Sequence, residues 1–270
     1  MNRDDLKNLA ANPDFISGIY NYCDRWCERC AFSSRCFLYA TEKADADLDD
    51  PEVRDLNNAK FWRKLELIFK DAHELIRECA QEAGIDLDAI EENDALEEHA
   101  GENEEASGHE FAVLARDYAG MVQTWFENEI VVDEGLHQKA GAQPLSAEAE
   151  IDLPAAVEVI RWYQFFIAAK VFRALMGSDD ELRGVYPDDE DPVNPAQTDS
   201  NGSAKIALIA IDRSLSAWRI MQSCVPNKQD SIAPLLAALE TLRNGIGEAL
   251  PHARDFIRPG FDEVMSEFVS

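Results

Sequence analysis

Apolar residues recur along much of this chain at intervals of three and four, the period that predicts helices. The pattern is cleanest over residues 59–83. There Phe61, Leu65, Ile68, Ala72, Leu75, Cys79 and Ala83 fall on one stripe, and Gly84 supplies a stop. Cys79 sits inside that stripe and is expected to be a small buried residue. Residues 109–138 predict a long helix with Phe111, Leu114, Tyr118, Met121, Val122, Trp125 and Val132 on one face. Residues 153–176 are apolar nearly all round, which predicts a central helix covered by others. Residues 203–224 follow an Asn-Gly-Ser signal and carry a small-residue face of Ala207, Ala210, Ser214 and Ala217. Ser231 is the expected cap of a last helix that turns Leu235, Leu239, Leu242, Ile246 and Leu250 inward, with Pro234 tolerated in its first turn. Near the N-terminus, Asn12-Pro13-Asp14 reads as a helix start. Phe15, Ile16, Ile19 and Tyr20 continue the period toward Cys23 and Cys27, which would share a face at i and i+4.

Between these segments the chain is acidic. Residues 84–110 hold eleven Asp or Glu and no Lys or Arg, a composition that reads as a solvated loop. Residues 178–202 contain Pro187, Pro192 and Pro195 and form the strongest predicted break in packing. No strand-length alternation bounded by hairpin turns occurs. The expected fold is therefore all-α, a multi-helix bundle of about six helices with an N-terminal Cys-rich helical hairpin. Its expected organisation is a Cys-rich metal-binding segment (1–40), an acidic connection (41–58), and a helical bundle domain (59–270) with acidic loops at 84–110 and 178–202.

Charge narrows the choice of partners. The formal net charge is −28 over 270 residues. Such a surface repels phosphate backbones and anionic lipid, so general nucleic-acid binding is disfavoured and a basic protein partner is favoured. The opening MNRDDLKNLA lacks a basic segment followed by an apolar one, so no signal peptide is expected. The apolar runs at 165–169 and 206–211 are far shorter than the roughly 20 residues of a membrane span. The expectation is a cytoplasmic protein without a membrane partner.

Chemical density concentrates in residues 22–37, YCDRWCERCAFSSRCF, which hold four of the six cysteines in the spacing C-x3-C-x2-C-x5-C. In a reducing compartment, clustered cysteines point to metal rather than disulfides. The expected ligands are Cys23, Cys27, Cys30 and Cys36, and the expected cofactor is a 4Fe–4S cluster or Zn2+. The alternative is a set of reduced, partly buried cysteines in an aromatic-rich hairpin. Residues Cys27 to Cys36, CERCAFSSRC, resemble the C-x2-C-x5-C part of the iron–sulfur staple in RecB-like and CRISPR-associated exonucleases. That resemblance implies a 4Fe–4S cluster, with Cys23 in the place of the distant fourth cysteine of those proteins. The acidic and lysine motifs of their nuclease core are not evident, so the likeness concerns the cofactor alone. The whole stretch is also similar to one found in uncharacterised bacterial proteins, which implies no function. Cys23, Cys27 and Cys30 match the radical-SAM spacing as well, but no alternating strand–helix barrel follows.

Arg25, Arg29 and Arg35 interleave with the cysteines and would offset the charge of a four-thiolate centre. Trp26, Phe32 and Phe37 could exclude water from the sulfurs or simply pack. Elsewhere, Glu134-x-x-His137 has the spacing of ferritin-like di-metal bundles, but such sites need two motifs on different helices. Glu129, Arg161, Asp212 and Arg213 fall among apolar neighbours and are expected to form a buried polar network, structural or pocket-forming. No catalytic constellation is evident. Three readings follow: a metal-binding interaction or scaffold protein, a redox or oxidant-sensing protein using a 4Fe–4S cluster, and a helical-bundle enzyme with a buried polar pocket.

Overall fold

A computed structural model describes residues 3–45, 50–87, 101, 103–129, 153–177 and 194–262. These residues are helical or irregular, with no strand among them, so the protein is an all-α helical bundle. The main helices are α1 (Arg3–Ala10), α2 (Phe37–Ala44), α3 (Ala59–Ala83), α4 (Glu110–Glu129), α5 (Leu153–Met176), α6 (Asp199–Cys224) and α7 (Gln229–Ala249). Among the described residues no helix is long and apolar enough to cross a membrane. The chain divides into two compact units. One comprises Met1–Tyr20 and Cys30–His99, the other Asn21–Arg29 and Ala100–Ser270.

The second unit contains a four-helix bundle in which α4 packs on α5, α5 on α6, α6 on α7, and α7 back on α4. Its most buried helix is α6, and the small-residue face explains why. Ala204, Ala207, Ala210, Ser214 and Ala217 have no exposed surface and bring neighbouring helices close. Gly202 and Gly245 extend the same logic. A Cβ on Gly202 would fall 2.8 Å from the Phe256 ring and closer still to Tyr22, and one on Gly245 would enter the Phe111 ring. Large residues fill the remaining space: Tyr118, Tyr163 and Trp218 are fully buried. Trp218 Nε1 donates to Tyr118 Oη at 2.9 Å, so the polar atoms of both are satisfied inside the core.

Several expectations are corrected here. The central helix is α6 and not α5, because Phe165 and Trp162 on α5 are 58% and 37% exposed. Helix α6 begins earlier than the Asn-Gly-Ser signal, since Thr198 caps it by accepting from Asn201 N. Ser231 is not a cap but lies within the first turn of α7, where its hydroxyl donates to Lys228 O and accepts from Trp125 Nε1. The part of the 109–138 helix beyond Glu129 lies outside the described residues, as does most of the 178–202 loop.

The first unit contains α1, α2 and α3. Helix α3 spans the predicted Ala59–Ala83, capped by Asn58, whose side chain accepts from Lys60 N. It ends at Gly84 with φ 72°, a left-handed turn that favours glycine. Its face is not buried as expected. Ile68 is 50% exposed, and Cys79 is exposed rather than buried. The expected N-terminal helix through the cysteines is also absent. Residues 11–20 are turns: Asn12 Oδ1 accepts from Asp14 N, and Gly18 adopts φ 70°. Cys23 and Cys27 therefore do not share a helix face.

Candidate metal centre

Residues Asn21–Arg29 belong to the bundle unit, and polar contacts to α5 and α6 hold them there. Asp24 is the hub. Its Oδ2 accepts from Tyr163 Oη at 2.8 Å and from Arg213 Nη1 at 2.5 Å. Its Oδ1 accepts from Trp26 N at 3.2 Å, and its backbone carbonyl accepts from Trp162 Nε1 at 3.0 Å. Around the hub, Lys170 Nζ donates to Asn21 O at 3.0 Å and Tyr22 Oη donates to Asp199 Oδ1 at 2.9 Å. Trp26 is buried and stacks on Trp162 with ring centroids 4.9 Å apart. The Arg29 guanidinium lies 4.1 Å above Trp26 and pairs with Glu158. Arg25, between two anchored residues, takes φ 59°, a left-handed conformation costly for a residue with a side chain.

The electrostatics follow from this packing. Burial, aided by the adjacent Asp24 carboxylate, pushes the Tyr163 phenol well above its usual range, so it stays a donor. Burial opposes the charge on Arg213, but Tyr163 and Asp24 outweigh it and hold the guanidinium charged. Burial, with the neighbouring Arg173, pulls Lys170 down, and Cys23 pushes it back up.

Cys30 and Cys36 belong to the other unit. Cys30 Sγ accepts from Phe32 N at 3.4 Å, the kind of backbone donor that stabilises a thiolate ligand. Cys36 precedes α2. Its N–H donates to Ser33 O at 3.3 Å, and its carbonyl accepts from Ala40 N at 3.0 Å. Arg35 fixes this loop: its Nε donates to Asp14 O, and its carbonyl accepts from Ile16 N. Phe37 meets Phe15 edge-on.

All six cysteines are thiols; Cys23, Cys27, Cys30 and Cys36 are half-buried, and Cys79 and Cys224 are exposed. Four thiols suit a soft ion or an iron–sulfur cluster as a donor set. Among the described residues, however, no three His, Cys, Asp or Glu side chains are grouped so as to hold an ion. Two of the interleaved arginines are engaged elsewhere, Arg29 with Glu158 and Arg35 with Asp14 O, and not aimed at sulfur.

The other candidates separate. Arg161 is exposed and lies over Phe126, Asp212 pairs with Arg254 at 3.2 Å, and Arg213 pairs with Asp24. They do not form one network. The side chain of Glu129 and the Glu134-x-x-His137 motif lie outside the described residues. Sequence reasoning missed Asp24. The signal available was Tyr163 and Arg213, two polar side chains on apolar helices that needed a common acceptor. Compared with protein-family models, curated proteins and solved structures, the chain matches none.

Proposed function

We propose that this is a metal-binding helical protein in which Cys23, Cys27, Cys30 and Cys36 ligate a 4Fe–4S cluster or Zn2+, and that the helical body serves interaction or scaffolding. The observation that carries this reading is four half-buried thiols within fourteen residues of a segment pinned by its flanks. Asp24, Trp26 and Arg29 anchor one part, and Arg35 anchors the other. The Phe32 N–H aimed at Cys30 Sγ is the kind of backbone donor that supports a ligand sulfur. Ligation gathers the sulfurs, so binding is coupled to local ordering. Thiol cysteines accord with a cytoplasmic setting, and the net charge of −28 accords with a basic protein partner rather than nucleic acid.

Elemental analysis and visible absorption of protein isolated without oxygen test this. A brown protein with iron and sulfide supports the cluster, and a colourless one with stoichiometric zinc supports zinc. Cys27→Ser should lower the metal content, whereas Cys79→Ser and Cys224→Ser should not. Protein that binds neither iron nor zinc under these conditions refutes the reading. A reversible one-electron reduction of the bound cluster would favour the redox role over scaffolding.

A further inference from the structure

The chain beyond α7 returns to α6 and meets residues 21–29 there. Its sequence explains how. Arg258-Pro259-Gly260-Phe261 places Pro before Gly, the order a type II turn needs. Phe261 N donates to Arg258 O at 3.1 Å, and Gly260 takes φ 73°. The turn folds Asp262 back on Arg258, whose Nε and Nη2 donate to its carboxylate at 3.0 and 2.9 Å. The same carboxylate meets Lys205 Nζ of α6 at 2.7 Å. Two side chains also grip the backbone ahead of the turn. Lys205 Nζ donates to Phe256 O. The Gln197 amide brackets Ile257, accepting from its N–H at 2.6 Å and donating to its carbonyl at 3.2 Å.

One large side chain of this segment is inserted. Phe256 is 3% exposed, whereas the next residue, Ile257, is 48% exposed. The Phe256 ring lies 4.6 Å from the Tyr22 ring. Both rings stand over Gly202 of α6, where a Cβ would strike each of them. Tyr22 precedes Cys23 in the chain and Asp24 follows it, so Cys23 is held from both sides. On one side Asp24 is fixed by Tyr163 and Arg213. On the other, Tyr22 is fixed by Asp199 through its hydroxyl and by Phe256 through its ring. The hold on 256–262 comes from a few side chains rather than from a packed helix. Such a segment can open locally while the bundle stays folded.

We propose that residues 256–262 form a releasable strap that fixes Tyr22 and thereby limits access to Cys23. Lifting Phe256 removes the cover from one face of the Tyr22 ring, so the backbone at Cys23 is freed on that side. Cys27 lies beyond Asp24 and Trp26 and keeps its place. The strap thus singles out one of the four clustered thiols, and it does so whether or not the sulfurs bind an ion.

Alkylation of the reduced full chain by iodoacetamide, after a chelator has removed any bound ion, tests this when mass spectrometry follows each cysteine. Phe256→Ala should speed modification of Cys23 at least tenfold and change Cys27 and Cys224 less than twofold. Circular dichroism should keep the wild-type helix content. Phe256→Leu, which retains an apolar side chain, should give a smaller rise. Gln197→Ala removes the bracket from an exposed position and should speed Cys23 about threefold. A Cys23 rate in Phe256→Ala within twofold of wild type overturns the proposal. So does an equal rise at Cys23, Cys27 and Cys224, which is general loosening and not release of a strap. If Phe256→Ala does not fold, the other two variants decide, and a Cys23 rate unchanged relative to Cys27 in both overturns it.

Discussion

Replacing Asp24 by alanine tests whether one carboxylate holds residues 21–29 on the bundle. The substitution removes the acceptor for Tyr163 Oη and Arg213 Nη1. Tyr163 has no exposed surface, so its O–H donor loses its partner inside the core. An orphaned buried donor costs about 1–3 kcal/mol. The Arg213 side chain is 36% exposed, so water recovers part of its loss, which leaves about 1 kcal/mol from that pair. Together these give a destabilisation of about 2–4 kcal/mol. Asp24→Asn keeps an acceptor oxygen and should cost roughly 1 kcal/mol. Urea unfolding followed by tryptophan fluorescence reads both, because Trp26 and Trp162 are stacked in the folded state. Asp24→Ala combined with Arg213→Ala should cost clearly less than the two changes added separately. An Asp24→Ala protein within about 0.5 kcal/mol of wild type, the range of ordinary surface changes, would refute the reasoning.

The bundle should lose stability in alkali. Burial raises the phenol pKa of both Tyr118 and Tyr163 above the unfolded value of 10.0. The unfolded chain then releases these protons first, so stability is intact below pH 10 and falls above it. The slope is roughly 1.4 kcal/mol per pH unit for each tyrosine, read by denaturant midpoints at stepped pH. Tyr163→Phe should lower that slope by about half. Gly245→Ala should destabilise by about 1–3 kcal/mol because its methyl group would enter the Phe111 ring, and Phe111→Leu should recover part of the loss. Gly247→Ala, on the same helix with open space around it, should be neutral or stabilising by about 0.5–1 kcal/mol and serves as the control. Limited proteolysis should show Cys27→Ser loosening residues 21–36 more than α3; equal cleavage in mutant and wild type would count against metal-coupled ordering.

The sequence discloses helices whose signals are local. Helix α3 ends where Gly84 turns left-handed, and α5 occupies the predicted 153–176. The small-residue face of α6 is readable because alanine and serine at helical spacing have one packing consequence. Structure that depends on distant partners is not readable in this way. Asp24 finds Tyr163 and Arg213 at separations of 139 and 189 residues, and no periodicity records that. The helix expected before the cysteines fails because Gly18 and Arg25 both adopt positive φ, and the arginine does so only under contacts made by its neighbours. Cys79 was misplaced because periodicity defines a stripe without saying what covers it. The four cysteines are legible as a spacing, but a spacing does not say whether the sulfurs meet, and among the described residues no three such ligands are grouped.

The nine residues that visit the bundle and leave again bear on how this protein can be divided. A truncation starting near residue 100 would discard Asp24 and Trp26, uncovering Trp162 and stranding Arg213. Its poor behaviour could be mistaken for intrinsic weakness of the helices. Supplying residues 21–29 as a synthetic peptide in trans should repair such a fragment, which makes this short clip the natural place to split and reassemble the molecule.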